Sequence, residues 1–463
     1  MGSTRRSLFA VIAVLGLANV VVTVDFYGTN TALPSIIADL DIGTDADQWI
    51  SLAYLVMLAA PLVAAGRWAD RVGRRRVLMV GLAVLAVGQV TSAAAQGEVV
   101  LFLGRAVAGL GGALVTATGL ALVSASAPVG RRAGAIGAWS AIGAIGAALG
   151  PLIGGVVTQF LSWRWLFLLA APVAFVVGIA ALVVVPESRD EDALPSADLG
   201  AALITVGLAL AVFGGTRGPI VGWLEPAVVL TVVGGIGCIV GFVVVDRRAA
   251  APLVPVAVVK NRVFVLAGSI AFLSNAAFAS VMFFMTLYLQ QVYGLGPIMT
   301  GVVFLAMTVP LMGFSPFLGR LVRRLGQAGV LAVGMGVLVV AFVVLGMIDA
   351  SSGLVLAVAG LALSGIGQAF AFNGSNVAAL SDVRSDDVGV ASGAVNGIRQ
   401  LGAVVGLAVT GALFDAVQRG EVATLGATRS FTMALRPTMF FLAAVCLVGA
   451  LLSAGARRRG KRR

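Results

Sequence analysis

Apolar runs about twenty residues long recur along the whole chain, each separated from the next by a short polar segment. A helix rises about 1.5 Å per residue and a bilayer core is about 30 Å thick, so such runs suit spanning helices. Fourteen spans are read, at roughly 8–28, 49–66, 77–96, 99–123, 133–157, 165–185, 199–215, 225–245, 263–290, 298–318, 329–348, 354–378, 390–414 and 437–456. The alternation of barrel strands is absent. Only 11% of residues are charged and 60% are hydrophobic, where a soluble domain carries about 25% charged residues. The chain therefore reads as an all-α polytopic membrane protein. No small-residue cleavage site follows the first run and further spans do, so it reads as a retained helix and not a signal peptide.

The residue inventory excludes several chemistries. With no histidine, Ser-His-Asp catalysis and His-ligated zinc or haem are impossible, and no constellation supports an enzyme. Cys238 and Cys446 each stand alone in an apolar run, as packing residues do, and no metal or cofactor is expected. The only lysines are Lys260, followed by Asn, and Lys461, followed by Arg. No Gly-Lys-Ser/Thr loop is present, so the chain carries no P-loop ATPase. A transporter of this composition draws on an ion gradient, such as a proton gradient, or runs downhill.

A net charge of +11 would suggest nucleic acid in a soluble protein. Here it reads as topology, with no nucleic-acid partner. With the N-terminus in the cytoplasm, most of the 31 basic residues fall in inside segments. Arg164, Arg217, Arg419, Arg429 and Arg436 fall outside, and Arg105 and Arg399 fall within spans. That bias places both termini in the cytoplasm, with the basic tail Arg457–Arg463 at anionic lipid.

Asp25 follows an uncharged stretch from Leu8 to Val24. A carboxylate near mid-bilayer costs about 2.5–3.5 kcal/mol, and such residues mark functional sites. Asp25 is accordingly the candidate proton site.

The chain repeats itself. Gly66, Arg67, Arg71 and Gly73 match Gly319, Arg320, Arg324 and Gly326. Gly109, Gly111, Gly137, Gly146, Gly150 and Gly155 match Gly365, Gly367, Gly393, Gly402, Gly406 and Gly411 at one offset. Two six-helix bundles follow, at 1–186 and 251–463, with a linker and two inserted helices at 187–250. Duplicated bundles around a central site are the architecture of a secondary transporter.

Three motifs carry chemistry. The loop Gly66-Arg67-Trp68-Ala69-Asp70-Arg71-Val72-Gly73-Arg74-Arg75-Arg76 combines a glycine for close helix approach with an acid among arginines. Its second copy has Arg323 in place of Asp70. Span 5 sets Gly146, Gly150 and Gly154 four residues apart, with Pro151 and Gly155 beside them, giving a smooth face and a bend. Span 4 carries Arg105, which either snorkels outward towards Glu98 or acts on Asp25. A nearby arginine favours the charged carboxylate and burial disfavours it, and the sequence leaves that balance open.

These motifs resemble those of the major facilitator superfamily: its signature loop at 66–76, its antiporter motif in span 5, and its intramembrane arginine motif around Arg105. Ala108 stands where that last motif usually has Gln. Asp25 with Asn30, Ala32, Leu33 and Pro34 resembles the first-span motif of the fourteen-span drug:proton antiporters. Tyr27 replaces a usual Thr there, and Ala171 stands before Pro172 where an Asn is frequent. Trp49, Tyr54, Trp163-Arg164-Trp165, Leu289-Gln290 and Arg399-Gln400-Leu401-Gly402 add to the likeness.

The resemblance implies the major facilitator fold and proton-coupled efflux of lipophilic, cationic or neutral drugs across a bacterial cell membrane. Protons, a small-molecule substrate and membrane lipids are the implied partners, and the protein is expected to be a monomer. Asp25 and Arg105 couple the proton, and Gly66, Arg67, Asp70, Arg71, Gly73 and Arg74 form a conformational latch. A dedicated self-resistance exporter of a natural product or lipid, or a proton-coupled importer of a small nutrient, are the alternatives. Asn30, Tyr54, Asn275, Phe278, Gln290, Asn373, Asn376, Asn396 and Arg399 are candidates to line the substrate cavity. Each Asn or Gln could equally glue helices together, and Arg399 could equally snorkel or cap a helix contact. Phe272, Phe283, Phe284, Met282 and Met285 either form an adaptable wall or pack between helices.

Overall fold

A computed structural model describes residues 2–43, 47–128, 131–189, 198–249, 261–349, 353–381, 388–425 and 427–460. Among the described residues the chain is helical, with no strand. The first half contains α1 (Gly2–Leu40), α2 (Trp49–Ala59), α3 (Leu62–Val72), α4 (Arg74–Ala93), α5 (Glu98–Ser126), α6 (Arg132–Phe160) and α7 (Trp163–Val184). Two inserted helices follow, α8 (Asp198–Val221) and α9 (Pro226–Arg248). The second half contains α10 (Arg262–Leu287), α11 (Pro297–Phe314), α12 (Leu318–Leu325), α13 (Gln327–Gly346), α14 (Gly353–Ser381), α15 (Val388–Leu425) and α16 (Ala427–Gly460).

Twelve of the described helices are long and apolar enough to cross a membrane, or thirteen if the bent pair α2–α3 is one span. The expected seventh span corresponds to α8, whose apolar stretch Ala202–Gly215 is shorter than the rest. Large apolar side chains such as Phe175, Val183, Leu230 and Val233 stand exposed, as they do on lipid-facing helices.

The chain divides into two compact units, one of Met1–Leu210 with Val233–Leu253, the other of Ala211–Val232 with Val254–Arg463. The division runs through the α8–α9 pair. Most of the expected linker Asp246–Arg262, and Asp190-Glu191-Asp192, lie outside the described residues.

The internal repeat is a repeat of helix contacts. In the first unit α1 packs on α6, α4 on α5 and on α7, and α2 on α5. In the second, α10 packs on α15, α13 on α14 and on α16, and α11 on α14. Glycines set the closest approaches. A Cβ at Gly109 of α5 would meet the Tyr54 carbonyl of α2, and one at Gly365 of α14 would meet the Met307 carbonyl of α11. Gly81 of α4 abuts Leu114 and Gly111, and Gly334 of α13 abuts Ala371 and Gly367. Close backbone approach through small residues is how membrane helices gain contact where lipid offers no hydrophobic drive.

Two boundaries differ from the sequence reading. The first span was read to residue 28, but α1 continues to Leu40 through Pro34. Ala32, Leu33 and Ile36 are fully buried there, and packed neighbours let a proline persist within a membrane helix. The second span was read as one helix over 49–66. Instead α2 ends before Pro61, and the chain turns by 48° into α3. Pro61 lacks the N–H that would continue the helix.

Candidate functional site

Asp25 sits mid-way along α1, and α5 brings Arg105 to it from 80 residues away. Arg105 Nη1 lies 2.8 Å from Asp25 Oδ1, and both side chains are buried to within about 1% of full enclosure. Glu98 is not the partner, so Arg105 does not snorkel to the end of its helix. Its Nε donates to the Ile50 carbonyl at 3.2 Å. Its guanidinium lies 4.3 Å from the Tyr54 ring centroid and 5.4 Å from that of Phe167.

The backbone around Asp25 is fastened by side chains. Thr29 Oγ1 donates to the Asp25 carbonyl at 2.6 Å, and Tyr54 donates its hydroxyl to the Val22 carbonyl at 3.1 Å. Asn30 Nδ2 donates to the Phe26 carbonyl, and Ser51 of α2 donates to Asn30 Oδ1. Phe26 stacks on Tyr54 with centroids 5.9 Å apart. Asn30 and Tyr54, both candidate cavity residues, are therefore buried and engaged beside the ion pair. Asp25 Oδ2 and Arg105 Nη2 have no hydrogen-bond partner among the described residues.

The glycine motif of α6 lies against this stretch of α1. A Cβ at Gly146 would come within 3.0 Å of Val20 Cα, one at Gly150 within 2.8 Å of Tyr27 Cβ, and one at Gly154 within 2.7 Å of Gly28 Cα. Gly155 is buried, and α6 stays helical through Pro151. The motif thus seats α6 directly on the segment that carries Asp25.

In the second unit Arg399 of α15 is 5% exposed. It donates to Asn376 Oδ1 of α14, and its guanidinium lies 4.0 Å from the Phe372 ring centroid. Asn275 of α10 donates to the Arg399 carbonyl at 2.9 Å. Arg399, Asn376 and Asn275 form one cluster. The other candidates disperse: Asn373 donates to Ser315 Oγ, Gln290 lies in the π-turn Tyr288–Val292 after α10, and Asn396 is half-buried on α15. Phe278, Phe283 and Phe284 are buried, and Phe284 packs on Phe414 of α15 with centroids 4.8 Å apart.

The 66–76 loop joins α3 to α4. Asp70 pairs with Arg74 at 2.7 Å, and Gly73 takes φ 121° between the two helices, a conformation that favours glycine. Arg67 is half-buried and Arg71 exposed. The loop is also tied to the end of α7, where sequence reading saw only a linker. Glu187 accepts from the backbone N–H of Arg75 at 3.0 Å, and the Ser188 carbonyl accepts from that of Arg74 at 2.8 Å. A carboxylate at a helix N-terminus meets its exposed N–H groups and positive dipole end. A Cβ at Gly66 would meet nothing within 4 Å among the described residues.

A duplicated helical bundle with a buried acid–arginine pair defines a polytopic membrane carrier. The chain belongs to the Major Facilitator Superfamily, whose sequence profile matches residues 15–407. It is 31% identical to the tetracenomycin C resistance and export protein of Streptomyces glaucescens, over 82% of this chain and 71% of that protein. It is 32% identical to the multidrug resistance protein Stp of Mycobacterium tuberculosis, over 89% and 76%. To the lincomycin resistance protein of Streptomyces lincolnensis it is 30% identical, over 87% and 84%. Its fold is similar to that of the POT family transporter PepTSo, with a TM-score of 0.69 at 14% identity over 98% of each chain.

Proposed function

We propose that the protein is a proton-coupled exporter of lipophilic, cationic or neutral drugs or antibiotics. It would work by alternating access in a bacterial cell membrane, with both termini cytoplasmic. The observation that carries this reading is the Asp25–Arg105 pair, enclosed in the middle of the first unit. An enclosed carboxylate with one engaged and one open oxygen is suited to take up a proton and release it. Facing outward, Asp25 gains a proton as substrate leaves; facing inward, it does the reverse. Moving one charge down about 150 mV yields roughly 3.5 kcal/mol. At 1.4 kcal/mol per decade this supports a concentration ratio of several hundred.

A dedicated exporter of one natural product is the second reading. It is favoured by relatives whose names record resistance to single compounds, tetracenomycin C and lincomycin.

The test is purified protein in liposomes with an internal pH dye and an imposed pH gradient, challenged with lipophilic cations and neutral antibiotics. Substrate-dependent proton movement that Asp25→Asn abolishes supports coupled antiport through this residue. Proton movement that persists in Asp25→Asn refutes Asp25 as the site.

A further inference from the structure

We propose that Tyr54 and Phe167 are positioning residues of the proton switch: they cage the guanidinium of Arg105 and hold its charge in place while Asp25 is protonated. The inference rests on the reading of Asp25 as the proton site and says what that site requires in order to work.

Protonating Asp25 removes the carboxylate that meets Arg105 at 2.8 Å. A fully buried guanidinium left without its anion is strongly disfavoured. Among the described residues the contacts that remain to it are the Ile50 carbonyl at 3.2 Å from Nε, the Tyr54 ring at 4.3 Å and the Phe167 ring at 5.4 Å. An aromatic face carries negative charge density and attracts a cation. That face opposes the negative charge of the neighbouring carboxylate as it favours the positive charge of the guanidinium. The cage therefore favours the protonated acid over the ion pair.

Both rings are fixed. Tyr54 and Phe167 are fully buried. The Tyr54 hydroxyl is bonded to the Val22 carbonyl and its ring is stacked on Phe26. Phe167 meets Trp163 edge-on at 5.9 Å. A ring held from behind keeps its face in one place as the charge beside it changes.

The charged and titratable groups on the elements packed against α1 are few. On α2 the group is Tyr54 itself, and on α5 they are Glu98 and Arg105. Between Gly134 and Phe160, α6 has none, and on α7 Arg164 is bound to Asp39 of α1. Tyr27 is the titratable neighbour of Asp25 on α1 itself. Arg105 is thus the cation that faces Asp25, and its surroundings decide what protonation costs.

The test is an infrared pH titration of the purified full-length protein, following the protonated-carboxyl band that Asp25→Asn removes. Phe167→Leu should lower the midpoint of that band, and Tyr54→Leu should titrate below Tyr54→Phe by about one pH unit, a tenfold loss of proton affinity on losing the ring. Tyr54→Phe keeps the ring and removes a hydroxyl that interacts with Asp25 as well as with the Val22 carbonyl, so it is the reference for the ring alone. Phe167→Leu touches the more distant ring, so it carries the test with a smaller shift if Tyr54→Leu does not fold. A midpoint unmoved in Phe167→Leu, or equal midpoints in Tyr54→Leu and Tyr54→Phe, would overturn the proposal. If Asp25→Asn removes no titrating band, the proton-site reading fails and this inference with it. If the band is present and indifferent to both rings, the inference alone fails.

Discussion

Asp25 with Arg105 in the first unit, and Arg399 with Asn376 in the second, show two ways of burying an arginine on a duplicated framework. Both guanidiniums lie over aromatic rings, at 4.3 Å from Tyr54 and 4.0 Å from Phe372. Among the described residues Arg105 donates to the Asp25 carboxylate and Arg399 to the Asn376 amide. A carboxylate can change its charge and an amide cannot. Duplication therefore supplied the same helix contacts twice, and among the described residues a carboxylate bonded to a buried arginine is seen in the first unit.

The comparison is most easily broken at the charges. Asp25→Ala leaves a buried guanidinium without its anion and should cost about 3–5 kcal/mol of stability. Arg105→Met, which strands the acid, should cost a similar amount. The double variant Asp25→Leu/Arg105→Met should recover most of that loss, since it removes both charges together. Thermal unfolding of the three purified proteins measures these differences. Arg399→Met removes a charge-assisted bond to the Asn376 amide and the contact with the Phe372 ring and should cost about 1.5–3 kcal/mol in the same assay. A loss equal to that of Arg105→Met would erase the distinction between the units.

The repeated glycine contacts come next. Gly109→Ala and Gly365→Ala each push a methyl against a facing carbonyl and should each cost about 1–3 kcal/mol. A large effect in one unit and none in the other would mean that the repeat is not one of equal packing. Gly66→Ala meets open space and should change stability by less than about 0.5 kcal/mol.

The exposed loop charges should also respond weakly. Asp70 and Arg74 are partly exposed, at 33% and 20%, so Asp70→Asn should cost about 1 kcal/mol or less and the loss should shrink in high salt. In the second copy Arg323 stands at that position, and among the described residues Arg320 lies 5.6 Å from the Phe317 ring centroid. Arg323→Asn should accordingly cost less than Asp70→Asn.

Much of this was legible in the sequence because it is written in local spacing. Helix positions follow from apolar length, and the repeat follows from glycines at one offset. Asp25 and Arg105 stood out because a charge inside an apolar run is expensive and therefore rare. Their pairing was not legible, since 80 residues separate them and Glu98 is an alternative partner for the arginine. Phe167 and Ile50 gave no signal at all. A phenylalanine or a backbone carbonyl in a membrane helix looks the same whether it faces lipid or a guanidinium. Gly66 and Glu187 show the same limit from opposite sides. Spacing alone suggests a close contact at Gly66, where a Cβ would meet nothing within 4 Å among the described residues, and it gives Glu187 the look of a linker residue although it caps α4.

Hydrophobic length and period act within a single helix, so the amino-acid order alone shows that this chain crosses a membrane many times, that its halves are copies, and that Asp25, Arg105 and Arg399 fall inside apolar spans. Which arginine meets the acid, which rings lie beside it and which glycines pack closely depend on the face each helix turns towards its neighbours, and so came only with the packed helices.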